Sequence, residues 1–153
     1  MKVAGVSVLA RVWVALLAGT ASAMANQPLQ FDPPPPPAQV SRGRYLVERV
    51  GLCSDCHSPR ARDGRLDQTR WLQGARLEIK SVGDLPDWAE TAPSIAGGVT
   101  GWTRTQLATF LETGRTPDGK PIRPPMPPYR FTHVDAVAVA AYLATLAPPA
   151  PRD

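Results

Sequence analysis

Ligands for soft metals are scarce in this chain. Its 153 residues include two cysteines, two histidines and three methionines. A structural zinc site normally takes four protein ligands, so one built here would need both cysteines together with both His57 and His133. Long apolar runs are also missing. The run near the start, Val12 to Ala18, is well short of the about 20 residues that span a bilayer. Charge of one sign is not in large excess either. The formal balance of +4 loses two positive charges if Lys2 and Arg11 are removed with a leader. It gives no reason to expect nucleic acid or an anionic membrane as partner.

Met1 to Ala25 reads as such a leader. Lys2 and Arg11 supply the positive start, the Val12 run is the apolar middle, and Ala21-Ser22-Ala23 and Ala23-Met24-Ala25 both fit an A-x-A cleavage pattern. Residues 1–25 are therefore expected to be a signal peptide, which places the protein in the periplasm. Membrane attachment follows only if the segment stays uncleaved and Val3 to Leu17 serves as one span, which Arg11 in its middle opposes. Cleavage leaves one domain's worth of chain. Residues 26–40 form a linker, with Pro33 to Pro37 as an extended polyproline spacer.

The densest chemistry lies at Cys53-Ser54-Asp55-Cys56-His57. Two cysteines two residues apart, with histidine next, read as a c-type haem attachment site. Each thiol can add to one porphyrin vinyl group, and one turn of backbone spans the two. The following imidazole then projects at the iron, and its other ring nitrogen needs an acceptor to fix the ring. The five residues alone leave alternatives open. The same pair serves zinc sites and thiol redox proteins, and in an exported protein it can close as a plain disulfide.

Ser41 to Val50 reads as a short helix leading into this motif. Ser41 is its expected cap, Tyr45, Leu46 and Val50 fall at helical spacing, and Gly51 ends it. Gly43 inside it marks either a close helix approach or simple tolerance in a marginal helix. Ser58 to Ala92 has little periodicity, with a mixed-charge stretch from Arg60 to Asp67 expected in solvent. Trp71, Leu72 and Leu77 are expected to pack over something apolar, and a haem face would serve. Thr103 to Glu112 is a second helix, opened by a Thr103/Gln106 capping box and closed at Gly114. Thr132 to Leu146 is the last, with Thr132 as cap and His133 expected at the surface. Pro148 and Pro149 stop it, and 148–153 are expected to form a disordered tail.

Arg123-Pro124-Pro125-Met126-Pro127-Pro128-Tyr129 is the second informative stretch. Four prolines around one methionine exclude helix and central strand and form a stiff loop that sets where Met126 points. A thioether is a soft neutral ligand for haem iron and raises its reduction potential. Met1 and Met24 would leave with the leader, so Met126 is the one methionine of the mature chain.

Together these pieces resemble a mono-haem class I cytochrome c. The resemblance is carried by Gly43-Arg44-Tyr45-Leu46 before the Cys53 motif, Ala92-Pro93-Ser94-Ile95, Gly114 to Gly119, Pro125-Met126-Pro127 and Ala141-Tyr142-Leu143, in the family's order. It implies an all-α fold over 41–147, with three to five short helices and long loops around one haem c. Cys53 and Cys56 would hold the haem covalently, and His57 and Met126 would be its axial ligands. The carbonyl of Pro93 would accept a hydrogen bond from His57, and Gly43 would let the first helix cross the last against Tyr142. Trp71, Trp102 and Tyr129 are candidates for contact with the haem or its propionates. The long 58–92 segment departs from the family pattern.

The pattern is similar to cytochromes that serve periplasmic dehydrogenases. It implies a single-electron carrier between a dehydrogenase donor and a cytochrome or oxidase acceptor, and not an enzyme. The rival readings are a haem enzyme or gas sensor with an open sixth iron position, and a thiol redox protein using Cys53 and Cys56.

Overall fold

A computed structural model describes residues 34–83 and 85–150. The expected leader, the linker as far as Pro33 and residues 151–153 lie outside the described residues. Helix α1 runs Pro37–Tyr45 with Pro36 as its N-terminal cap. It starts four residues before the expected Ser41, which lies inside the helix and does not cap it. Proline suits a first helical position because its missing N–H is one that the helix start cannot pair. The end of the proline run thus enters the helix.

The chain continues through a π-helical turn, Leu46–Val50, closed by the Gly51 N–H on the Leu46 carbonyl at 2.7 Å. Leu52 then adopts a left-handed conformation, φ 49°, and helix α2 spans Cys53–His57. Helix α3, Arg104–Thr113, has the full Thr103/Gln106 capping box and ends at Gly114 with φ 68°. Helix α4, His133–Thr145, is capped by Thr132, whose side chain accepts from the Asp135 N–H. Two-residue strands β1, Ala75–Arg76, and β2, Thr91–Ala92, pair antiparallel with Ala75 opposite Ala92. Among the described residues the fold is four helices with almost no sheet.

Helices α1 and α4 cross at Gly43. A Cβ there would overlap the Ala138 carbonyl oxygen and stand 2.8 Å from the Tyr142 Cβ. Only glycine permits this approach, which settles the reading left open for the segment. Around the crossing, Leu46, Val47, Leu107, Leu111, Val139 and Leu143 form a buried core. Each such side chain contributes about 1.5–3 kcal/mol on burial. Arg42 and Asp135 tie the two helices at the surface, 2.9 Å apart.

Leu72 ties the aperiodic 58–92 segment to the core. Leu72 is fully buried in the helical core. Its N–H donates to the buried Ser58 Oγ at 2.8 Å, and its carbonyl accepts from the Ile95 and Ala96 N–H groups. Its φ of 57° is costly for a branched residue, and burial with these hydrogen bonds, and a longer one from the Ser94 hydroxyl to the same carbonyl, offsets that cost. Leu72 therefore packs over apolar surface as expected, and that surface is the helical core. Trp71 lines a separate hollow with Glu48 and Tyr142. Leu77 alone of the three reaches the cavity described next. Of the expected tail, Pro148 lies close against Gly97.

Candidate functional site

A cavity of about 330 Å³ opens between α2, the 77–93 segment, α3 and the proline-rich loop. Helix α2 contributes Cys53, Cys56 and His57; Leu77, Ala89 and Pro93 form a second wall; Phe110 comes from α3; Arg123, Met126 and Tyr129 come from the proline-rich loop. The three α2 residues stand at i, i+3 and i+4, so one helical face presents all of them. The left-handed Leu52 just before them also lines the cavity.

His57 is 6% exposed. Its Nδ1 lies 2.8 Å from the Pro93 carbonyl oxygen. A carbonyl can only accept, so Nδ1 carries the proton and Nε2 keeps its lone pair. Burial lowers the His57 pKa against the opposing pull of the Pro93 carbonyl, which holds the ring neutral. A neutral imidazole with a fixed tautomer is the form that binds metal.

The cysteines are not joined in a disulfide. Burial pushes the Cys53 thiol up to about 11, more strongly than the neighbouring Tyr129 hydroxyl lowers it. Thiol redox chemistry needs a lowered thiol pKa, so this environment opposes that reading. The zinc arrangement does not assemble either. His133 is at the surface, with Nδ1 2.9 Å from Glu112, and no cluster of three or more His, Cys, Asp or Glu suited to a metal ion occurs among the described residues.

Met126 is partly buried against the core. Its N–H meets the Arg123 carbonyl at 3.2 Å, closing a turn in which the Pro124–Pro125 bond is cis. Tyr129 lines the cavity and donates its hydroxyl to the Gly51 carbonyl at 2.6 Å. Burial is the first cause that raises its pKa. Trp102 stands behind the wall, edge-on to Phe110 with ring centroids 5.2 Å apart. Of the three aromatic candidates only Tyr129 lines the cavity.

Sequence reasoning missed Phe110, Arg123 and Leu52 as lining residues. Phe110 read simply as part of a helical apolar stripe. Arg123 stands three residues before Met126, but its contacts are non-local. The left-handed conformation of Leu52 has no local sequence signal, since leucine does not favour it.

The donor set fits a covalently held porphyrin: two sulfurs one helical turn apart, a neutral imidazole oriented by the Pro93 carbonyl, a thioether, and a largely apolar wall. An all-α domain with this set is the architecture of an electron-transfer haem protein. The chain belongs to the cytochrome c family, whose model matches residues 40–147. Its redox group is accordingly covalently bound haem c, the group of an electron-transfer domain.

Relatives point the same way. The chain is 39% identical over 80 residues to a diheme cytochrome c-type protein of Cereibacter sphaeroides, covering 52% of this chain and 24% of that one. It is 34% identical over 80 residues to the fructose dehydrogenase cytochrome subunit of Gluconobacter japonicus, covering 50% and 14%. It is 33% identical over 135 residues to the alcohol dehydrogenase (quinone) cytochrome c subunit of Gluconacetobacter polyoxogenes, covering 81% and 28%. The chain thus spans between 14% and 28% of the length of these relatives. No helix among the described residues is long and apolar enough to cross a membrane.

Proposed function

We propose that the protein carries one haem c, bonded through Cys53 and Cys56 and ligated by His57 and Met126. In this reading it is exported to the periplasm, accepts single electrons from a dehydrogenase and passes them to a respiratory cytochrome or oxidase. The observation that carries the reading is the convergence of both cysteines, the Pro93-anchored His57 and Met126 on one cavity. The dehydrogenase cytochrome subunits among its relatives support the choice of donor.

Bound haem supplies a reversible one-electron couple; the rest falls to the chain. His57, kept neutral by burial and oriented by Pro93, presents Nε2 as the nitrogen ligand. Met126 supplies a neutral sulfur, which favours the reduced state. With His57 and Met126 both holding the iron, no position would remain for a substrate, and the chain would govern only potential, burial and docking. Leu77, Ala89, Phe110 and Ile122 line the cavity and would keep water from the bound group.

The test is a pyridine haemochrome assay with mass spectrometry on protein exported alongside haem-attachment machinery. One haem per chain is expected, with a weak absorption band at the red end of the visible spectrum from Met–iron ligation. Colourless exported protein would overturn the reading, and a haem that freely admits carbon monoxide would overturn the Met126 assignment.

A further inference from the structure

Met126 lies in a loop with no helix or strand, so something else must hold it in place. Proline fixes φ along the loop but does not anchor the loop to the rest of the domain. Two side chains supply anchors, placed symmetrically about Met126. Three residues before it, Arg123 donates Nε–H to the Asp87 carbonyl at 3.0 Å, with a longer Nη2 contact of 3.5 Å to the Trp88 carbonyl. Three residues after it, Tyr129 donates its hydroxyl to the Gly51 carbonyl at 2.6 Å. The first anchor reaches the 77–93 wall and the second reaches the approach to Cys53. A backbone bond from the Ala89 N–H to the Pro124 carbonyl, 2.8 Å, runs beside the first.

The backbone at these anchors is strained. Among the described residues four non-glycine positions have positive φ, namely Leu52, Leu72, Asp87 and Arg130. Three of the four adjoin the anchors. Asp87, φ 63°, supplies the carbonyl that Arg123 meets. Leu52, φ 49°, follows Gly51, and Arg130, φ 53°, follows Tyr129. Such conformations persist where surrounding contacts over-determine them, and they concentrate at functional sites. The Tyr129 ring is also stacked on Phe131, with centroids 5.2 Å apart and planes nearly parallel, which restrains the ring that carries the hydroxyl.

We infer that Arg123 and Tyr129 form a two-point clamp that positions Met126 and sets how readily its sulfur gives up the sixth iron position. Both are positioning residues, and the inference rests on the reading of Met126 as axial ligand. Loss of one anchor loosens the loop, leaving the other anchor and backbone bonds such as Ala89 N–H to the Pro124 carbonyl, so a competing ligand would displace the sulfur more easily.

The experiment titrates oxidised holoprotein with imidazole and follows loss of the red-end band. Tyr129→Phe keeps the ring and removes the hydroxyl; Arg123→Gln removes the guanidinium. Each is expected to reach half-displacement at about fivefold lower imidazole, the equilibrium equivalent of one neutral hydrogen bond, and the double variant at lower concentration still. Arg123→Lys keeps one donor and is expected to fall between Arg123→Gln and wild type. Thr103→Ala removes a helix cap outside the loop and controls for general destabilisation; it is expected to titrate as wild type.

If the wild type has the band but the Tyr129 and Arg123 variants titrate unchanged, or Thr103→Ala shifts as far as they do, the clamp is overturned. If the wild type has no band, or Met126→Ala is indistinguishable from it, the axial assignment fails and the clamp falls with it.

Discussion

The two sides of the cavity are built by different means. On the His57 side a regular helix carries the donor, and the neighbouring chain holds it chiefly through main-chain groups. The Gly74 N–H meets the His57 carbonyl at 2.7 Å, the Leu72 N–H meets the Ser58 hydroxyl, and the Pro93 carbonyl accepts from the His57 ring. On the Met126 side there is no regular element, and the side chains of Arg123 and Tyr129 hold the loop together with backbone bonds such as the Ala89 N–H to the Pro124 carbonyl, 2.8 Å. A carbonyl at Pro93 survives any side-chain substitution there, whereas the bonds of Arg123 and Tyr129 do not. The attachment side is thus built to stay constant, and the methionine side can be tuned one residue at a time.

The sharpest way to break this contrast is Met126→Ala. Haem is expected to remain covalently attached while the red-end band disappears completely and carbon monoxide gains access, read by absorption spectroscopy. Gly43→Ala strikes beneath both sides, at the crossing from which the chain enters α2. Its Cβ meets backbone at Ala138, which a side-chain rotation cannot relieve. A loss of about 3 kcal/mol or failure to fold is expected, measured by denaturant unfolding.

Ser58→Ala tests the His57 side alone. It strands the buried Leu72 N–H and is expected to cost about 1–3 kcal/mol while the Met–iron band stays. A lost band with unchanged stability would erase the distinction between the two sides.

The smallest effect lies outside the cavity, at the pair of Arg42 and Asp135. The Arg42 hydrogen bond holds the Asp135 carboxyl below its ordinary pKa of 3.8. A depressed folded-state pKa means the contribution is complete above that ordinary value and is lost as pH falls through the lower, folded one. The melting-temperature gap between wild type and Asp135→Asn is therefore expected at pH 7 and should close as the solution is acidified below the ordinary carboxylate range.

Much of the site was legible before any coordinates. The Cys53 motif, the Thr103 and Thr132 caps and the end of α3 at Gly114 depend on neighbours a few residues away, and short-range spacing is visible in a linear chain. Gly43 was visible as an anomaly, but only the crossing with α4 explains it. Ser41 misled because capping residues also sit inside helices, and a proline four positions earlier supplied a better start. Trp71 and Leu72 were legible as residues that pack on something apolar, but apolar residues in an aperiodic loop carry no record of which apolar surface they meet. The Pro93 acceptor came from family likeness and from no local rule.

By itself, then, the order of residues determined the chemistry: two sulfurs and an imidazole within a single helical turn, and a lone thioether among prolines. Donor identity and short-range geometry are properties of neighbouring residues, so they needed no fold to be read. Tertiary structure alone decided that Leu72 turns into the helical core and that Arg123 and Tyr129 reach carbonyls 36 and 78 positions away. Such contacts depend on how the chain closes on itself, and loop closure between distant segments is set by the packing of the whole domain.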